Sequence, residues 1–151
     1  MSDTATYEEN LPTTAQPVSA EQAHDEIHAW LDYKQVSQSV RDSNEKDIDL
    51  LIEEMTQGRI TIDDKHQLHY QLKFPLKSDE GATAIDHITF RPRLKMIHFE
   101  NALSRAKVKS DNGIGTTRVL IATLTGQPSG IIGNLDSSDN KVCMAVAGFF
   151  I

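Results

Sequence analysis

A chain of 151 residues with 38% apolar and 25% charged side chains fits one globular domain with a normal core, and excludes a fibrous or wholly disordered protein. A single cysteine, Cys143, excludes an internal disulfide and a cysteine-built zinc site, and points to a reducing compartment. The net charge of −7 is unevenly spread: residues 1–66 hold 15 acids and 5 bases, residues 67–151 hold 7 acids and 10 bases, so contact between the halves or with an oppositely charged partner is expected.

The first ten residues carry acids and no apolar signal core, which argues against secretion. No apolar run approaches the roughly 20 residues needed to span a bilayer, and no membrane association is expected. The closing run from Val142 to Ile151, "VCMAVAGFFI", is the most apolar stretch but is too short.

Residues 1–18 are expected to form a disordered tail. Ser19 opens "SAEQ", a capping-box pattern with Gln22, and the spacing of Ala23, Ile27, Trp30 and Leu31 predicts a helix to about Ser39. Asp42 with Glu45 starts a second helix carrying Ile48, Leu51, Ile52 and Met55 on one face, with Gly58 as its C-terminal cap. Residues 19–58 thus read as an acidic helical hairpin.

From residue 59 the period changes to two. Ile60 and Ile62, a "DDKHQ" turn, and Leu68, Tyr70, Leu72 and Phe74 predict a β-hairpin that ends at Pro75. Beyond "LKSDEGATA", Ile88 and Phe90 mark a third strand, "DHITFR", stopped by Pro92.

Helical spacing then returns in Met96, Phe99, Leu103 and Ala106, and "KSDNGIG" breaks it. "TTRVLIATL" forms a buried helix with Thr116 as its cap, stopped by Gly126 and Pro128, and "SGIIGNLD" reads as an irregular link. Asp136, Ser137 or Ser138 can cap a last helix that aligns Val142, Val146 and Phe149. The fold class is α+β: an N-terminal helical hairpin, a small antiparallel sheet of about three strands, and C-terminal helices, with residues 59–151 as the α+β unit.

Several patterns invite chemistry. In "HDEIH", His24 and His28 lie one helical turn apart, but Asp25 stands where a zinc protease needs Glu, and no third ligand is in view. "DNGIGTTR" lacks the lysine of a phosphate-binding loop and follows a helix, so it reads as a connection. Cys143, among Val142, Met144, Ala145 and Val146, reads as a buried structural thiol. His69 and His87 fall on polar strand faces, where they could sense pH, although solvated side chains are the default.

Arg91, Arg93, Lys95, Arg105, Lys107 and Lys109 face the single acid Glu100 in their stretch and could neutralise phosphates. Their only aromatic neighbours, Phe90 and Phe99, belong to core faces, so a solvated face or an acidic partner fits better. The acidic hairpin is the candidate, in cis or in a second subunit. No nucleophile with a base and no buried acid pair emerges, and neither enzyme activity, cofactor nor metal site is expected.

The stretches "LHYQLKFPL", "IDHITFRPRLKMIHFENA" and "VLIATLTGQPSGIIGNLDSSDNKVCMAVAGFF" resemble the tail assembly chaperones of P2-like and Mu-like contractile-tailed bacteriophages and prophages. The likeness runs from about Gln67 to Phe150: a strand ending in Pro, a strand with the pair Arg91 and Pro92, a helix, "LTG" at Leu124 to Gly126, a link to Leu135, an Asp matched by Asp136 or Asp139, and an apolar last helix. The acidic hairpin lies outside it.

The resemblance implies a binding protein that keeps the long, helical tape measure protein soluble while the tail tube polymerises, in the cytoplasm of the host bacterium, and leaves before the virion is complete. It also implies a longer form made by programmed frameshifting as a further partner, alongside the tail tube protein and a homo-oligomer. The Phe149-Phe150 pair is compatible with a slippery codon run. The apolar candidates for the partner face are Trp30, Val146, Phe149, Phe150 and Ile151; the alternative, a nucleic-acid-binding regulator, uses Arg105, Lys107 and Lys109.

Overall fold

Ser19 Oγ accepts a hydrogen bond from the Gln22 amide at 3.0 Å in the computed structural model, and helix α1 (Ala20–Tyr33) starts there as the capping pattern predicts. The structure describes residues 17–77, 83–109 and 111–150. Residues 1–16 of the expected tail, and Ile151, lie outside the described residues. Ala23, Ile27, Trp30 and Leu31 are the buried face of α1, also as their spacing predicts.

The first helix ends sooner than its composition suggests. Gln35 takes a left-handed conformation at φ 58°, and a short helix α2 (Gln38–Ser43), capped by Ser37, precedes α3 (Glu45–Thr56). Arg41 explains the break: its guanidinium donates to the Val36 carbonyl at 3.1 Å and to Asp32 Oδ1 at 2.6 Å, so one side chain takes up groups freed by the turn. Gly58, at φ 83°, stands at the predicted stop of α3.

Strands β1 (Ile60–Ile62), β2 (Leu68–Lys77) and β3 (Thr83–Phe90) form one antiparallel sheet in the order β1-β2-β3. Leu68, Tyr70 and Leu72 are buried in alternation, but Phe74 breaks the pattern at 58% exposed. Gln71 pairs with His87 whereas Leu76 pairs with Ile85, so β2 bulges between those positions. Pro75 sits inside the bulge, where a missing N–H loses no ladder bond, and the strand continues past its predicted end.

The amides exposed by the bulge find a partner in the last helix. Asp139 is fully buried and accepts from the Lys73 amide at 2.9 Å, the Phe74 amide at 3.0 Å and the Tyr70 hydroxyl at 2.7 Å. It lies in the first turn of α7 (Ser137–Ala147), which Asp136 caps by accepting from the Ser138 amide. Orphan amides and the positive end of the helix favour a carboxylate there.

Helix α4 (Met96–Ala106) ends on Lys107, left-handed at φ 55°, and buries Phe99 alone. Helix α5 (Gly113–Thr125) begins earlier than predicted, because Asn112 rather than Thr116 is its cap and accepts from the Gly115 amide at 2.9 Å; "GIG" becomes its first turn. Gly126, at φ 70°, ends it as expected. "SGIIG" forms a short helix, α6 (Ser129–Gly133), in place of an irregular link, with Pro128 at its start supplying a fixed φ of −60°. Thr116, Thr117, Thr123 and Thr125 return their hydroxyls to the carbonyls four residues back in or before α5, each at 2.8 to 2.9 Å.

The described residues thus form seven helices and a three-stranded sheet, an α+β fold. Helix α3 meets β1, α7 meets β2 and α5 meets β3, while α1 packs on α3. One continuous core joins Trp30 and Leu51 of the hairpin to Phe90, Leu124 and Val142, so the change of period at residue 59 marks no boundary in the core.

Replacing Asp139 by Ala strands two backbone amides, and a loss of about 3 to 5 kcal/mol in urea unfolding is expected; Tyr70→Phe is expected to lose about 1.5 to 3 kcal/mol. Burial, reinforced by the hydrogen bond and charge of Asp139, holds the Tyr70 hydroxyl far above the ordinary value of 10.0. The unfolded chain therefore releases that proton first: the contribution is fully present below pH 10 and falls as pH rises beyond it. Unfolding curves across the alkaline range are expected to show a shallower decline for Tyr70→Phe than for the natural chain.

Candidate functional site

Three of the apolar residues expected at a partner face are interior. Trp30 is 1% exposed, Val146 and Phe149 are buried, and the Trp30 and Phe149 rings meet edge to face with centroids 6.2 Å apart. Phe150, half-buried, lies 6.3 Å from Trp30. These side chains close the end of α1 against α7; the physical reason they offer no open face is that they satisfy one another. Ile151 lies outside the described residues.

Lys34 covers this aromatic cluster, its ammonium 3.3 Å from the Phe150 ring centroid and 5.5 Å from that of Trp30. Burial, and then the charge of Arg93, bring its pKa down to about 8. Its Nζ donates to the Pro92 carbonyl at 3.4 Å, and Arg93 donates to the Tyr33 carbonyl at 3.4 Å while lying over the Tyr33 ring. The basic segment and the hairpin therefore touch through backbone carbonyls and rings, not through the acid pairs their charges suggest.

Two of the exposed large apolar side chains, Ile114 and Met144, edge a groove of about 930 Å³ between the start of α5, α6 and α7, while Val40, Phe74, Met96 and Ile97 are exposed outside it. Ile114 stands on its rim at 82% exposure and Met144 at 47%, with Ile132 and Leu135 deeper and Arg118 and Asn140 at the edge. Sequence reasoning missed it because "GIG" and "SGIIG" both read as connections. The available signal was the pair of isoleucine-bearing glycine segments with no strand or helix face to bury them.

A second concavity, of about 650 Å³, opens between α4, α5 and the end of β3. Arg91, His98 and Arg105 rim it, and Ala102, Ala106 and Ala122 line it. Lys107 and Lys109 are exposed but do not line it. Among the described residues, no acid lies in ion-pair contact with any of the six cations from Arg91 to Lys109.

The remaining candidates separate. The His24 and His28 rings lie with centroids 4.3 Å apart and planes tilted by 38°, but His28 Nδ1 accepts from Arg41 at 3.3 Å, and the described residues contain no cluster of three His, Cys, Asp or Glu that could hold a metal. Burial, then the neighbouring His24 and Arg41, lower the His28 pKa. Cys143 is buried, and burial together with the Asp139 charge pushes its thiol far up, away from a nucleophile. His69 bridges Asp63 and Thr89, each at 2.8 Å, while His87 bonds Asp86, so the two histidines serve different acids.

No family model, no curated protein and no solved structure matches this chain.

The start of α5 sets where Ile114 stands on the groove, and two glycines test it. A Cβ at Gly113 meets nothing within 4 Å, whereas one at Gly115 meets the Asn112 amide nitrogen at 2.7 Å. Gly113→Ala is expected to stabilise by about 0.5 to 1 kcal/mol. Gly115→Ala is expected to gain nothing, since displacing the cap costs about 1 kcal/mol. Paired urea titrations distinguish the two.

Proposed function

We propose that this chain is a non-enzymatic tail assembly chaperone that holds the tape measure protein soluble in the cytoplasm of the host bacterium during tail tube assembly. The motif order from Leu68 to Phe150 supports the reading. The observation that carries it is the apolar groove with Ile114, 82% exposed, and Met144 on its rim, a concave apolar surface open to a partner.

The groove suits an amphipathic helical segment laid in by its apolar face. Met144 is unbranched and adapts to unlike side chains, which fits a partner built from many similar apolar repeats. A modest apolar contact with few charges also releases readily, as a chaperone that leaves before completion requires.

Co-expression with the tape measure protein from the same gene cluster tests the proposal. The soluble fraction is expected to rise with the natural chain and to fall with Ile114→Asp or Met144→Glu. Losing the burial of one such side chain, about 1.5 to 3 kcal/mol, weakens binding about tenfold or more. A tape measure equally insoluble with and without the natural chain overturns the proposal.

The nucleic-acid alternative has cations to offer at Arg105, Lys107 and Lys109 but lacks stacking surface, because Phe90 and Phe99 are both buried.

A further inference from the structure

Helix α3 carries Glu45, Asp49 and Glu53 four residues apart, all exposed. That spacing sets three carboxylates in one row about 12 Å long. Like charges at this spacing each destabilise a helix by about 0.2 to 0.5 kcal/mol. None of the three is in ion-pair contact with a described cation; the hairpin acids that pair with Arg or Lys are Asp32, with Arg41, and Glu54, with Arg59 and Lys73.

The opposite arrangement stands on α4. His98, Ala102 and Arg105 share one face over about 10 Å, and Arg91 joins them across the cleft. Ala102, at the centre, leaves room for a second backbone to approach. The row and the cleft match in length and oppose in charge.

They do not meet within one chain. The contacts between the basic segment and the hairpin run to the Tyr33 and Pro92 carbonyls at the far end of α1, leaving the α3 row and the α4 cleft both open. We propose that the cleft of Arg91, His98 and Arg105 receives the Glu45, Asp49 and Glu53 row of a second copy of this chain. The contact is row to cleft, so two copies close a pair if both contacts form at once and otherwise extend into a chain. It uses a different surface from the apolar groove and stands apart from the tape measure reading.

Sedimentation velocity of the full chain at 50 mM and 500 mM salt tests the contact. Association is expected at low salt and about tenfold weaker at high salt, because exposed charges are screened. The Arg91→Glu/Arg105→Glu chain and the Glu45→Lys/Asp49→Lys/Glu53→Lys chain are each expected to be monomeric. A mixture of the two is expected to associate again, the natural row of one variant meeting the natural cleft of the other and the reversed row meeting the reversed cleft, and circular dichroism checks that each is folded. A natural chain that stays monomeric at low salt overturns the proposal, as does association unchanged in the arginine variant. Capture of duplex DNA lost in that variant, without self-association, assigns the cleft to phosphate and overturns it too.

Discussion

Asp139 brings a carboxylate into the interior with no cation in ion-pair contact among the described residues, and three donors from β2 surround it. Each partner depends on the others. The bulge turns the Lys73 and Phe74 amides out of the β2-β3 ladder, the first turn of α7 puts the acid where those amides point, and Tyr70 completes the shell from the buried face of the sheet. An acid so enclosed fixes both the register of α7 on β2 and the shape of the bulge. The neighbouring Glu54, also buried, ties the end of α3 to the same strand through Lys73 at 2.9 Å. Sheet, hairpin and last helix are thereby locked at one strand.

Around that lock the two open surfaces divide along α5. Its first turn carries Ile114 into the apolar groove with α6 and α7, and its later turns, through Val119 and Ala122, back the cationic cleft with α4. The chemistry differs as well as the place: one surface offers aliphatic side chains and a thioether with Arg118 at its edge, the other two guanidinium groups over alanine. A ligand suited to either has little to gain at the other.

Much of the architecture was legible from end signals and periods. Ser19, Gly58, Gly126 and Asp136 mark ends that the structure keeps, and the alternation from Leu68 to Leu72 names the buried face of β2. What escaped depends on residues distant in sequence. Arg41 closes the elbow after α1 by reaching Asp32 and Val36, a role that no local pattern encodes. Pro75 reads as a strand end until Asp139 supplies a partner for the bulge beside it. The open surfaces were the least legible, because an apolar run such as "VCMAVAGFFI" looks alike whether it packs on Trp30 or waits for a partner, and only burial tells them apart.

The threonines of α5 bear on how α4 is held. Thr116, Thr117, Thr123 and Thr125 bond their hydroxyls to carbonyls four residues back and make no hydrogen bond to α4. Helix α4, which buries only Phe99, rests on α5 by shape. Among the described residues no hydrogen bond or ion pair joins α4 to α5, whereas α7 cannot move without stranding the amides of β2. The fold thus pairs one helix anchored by a polar lock with one held by apolar packing, and the latter carries His98 and Arg105 of the basic cleft.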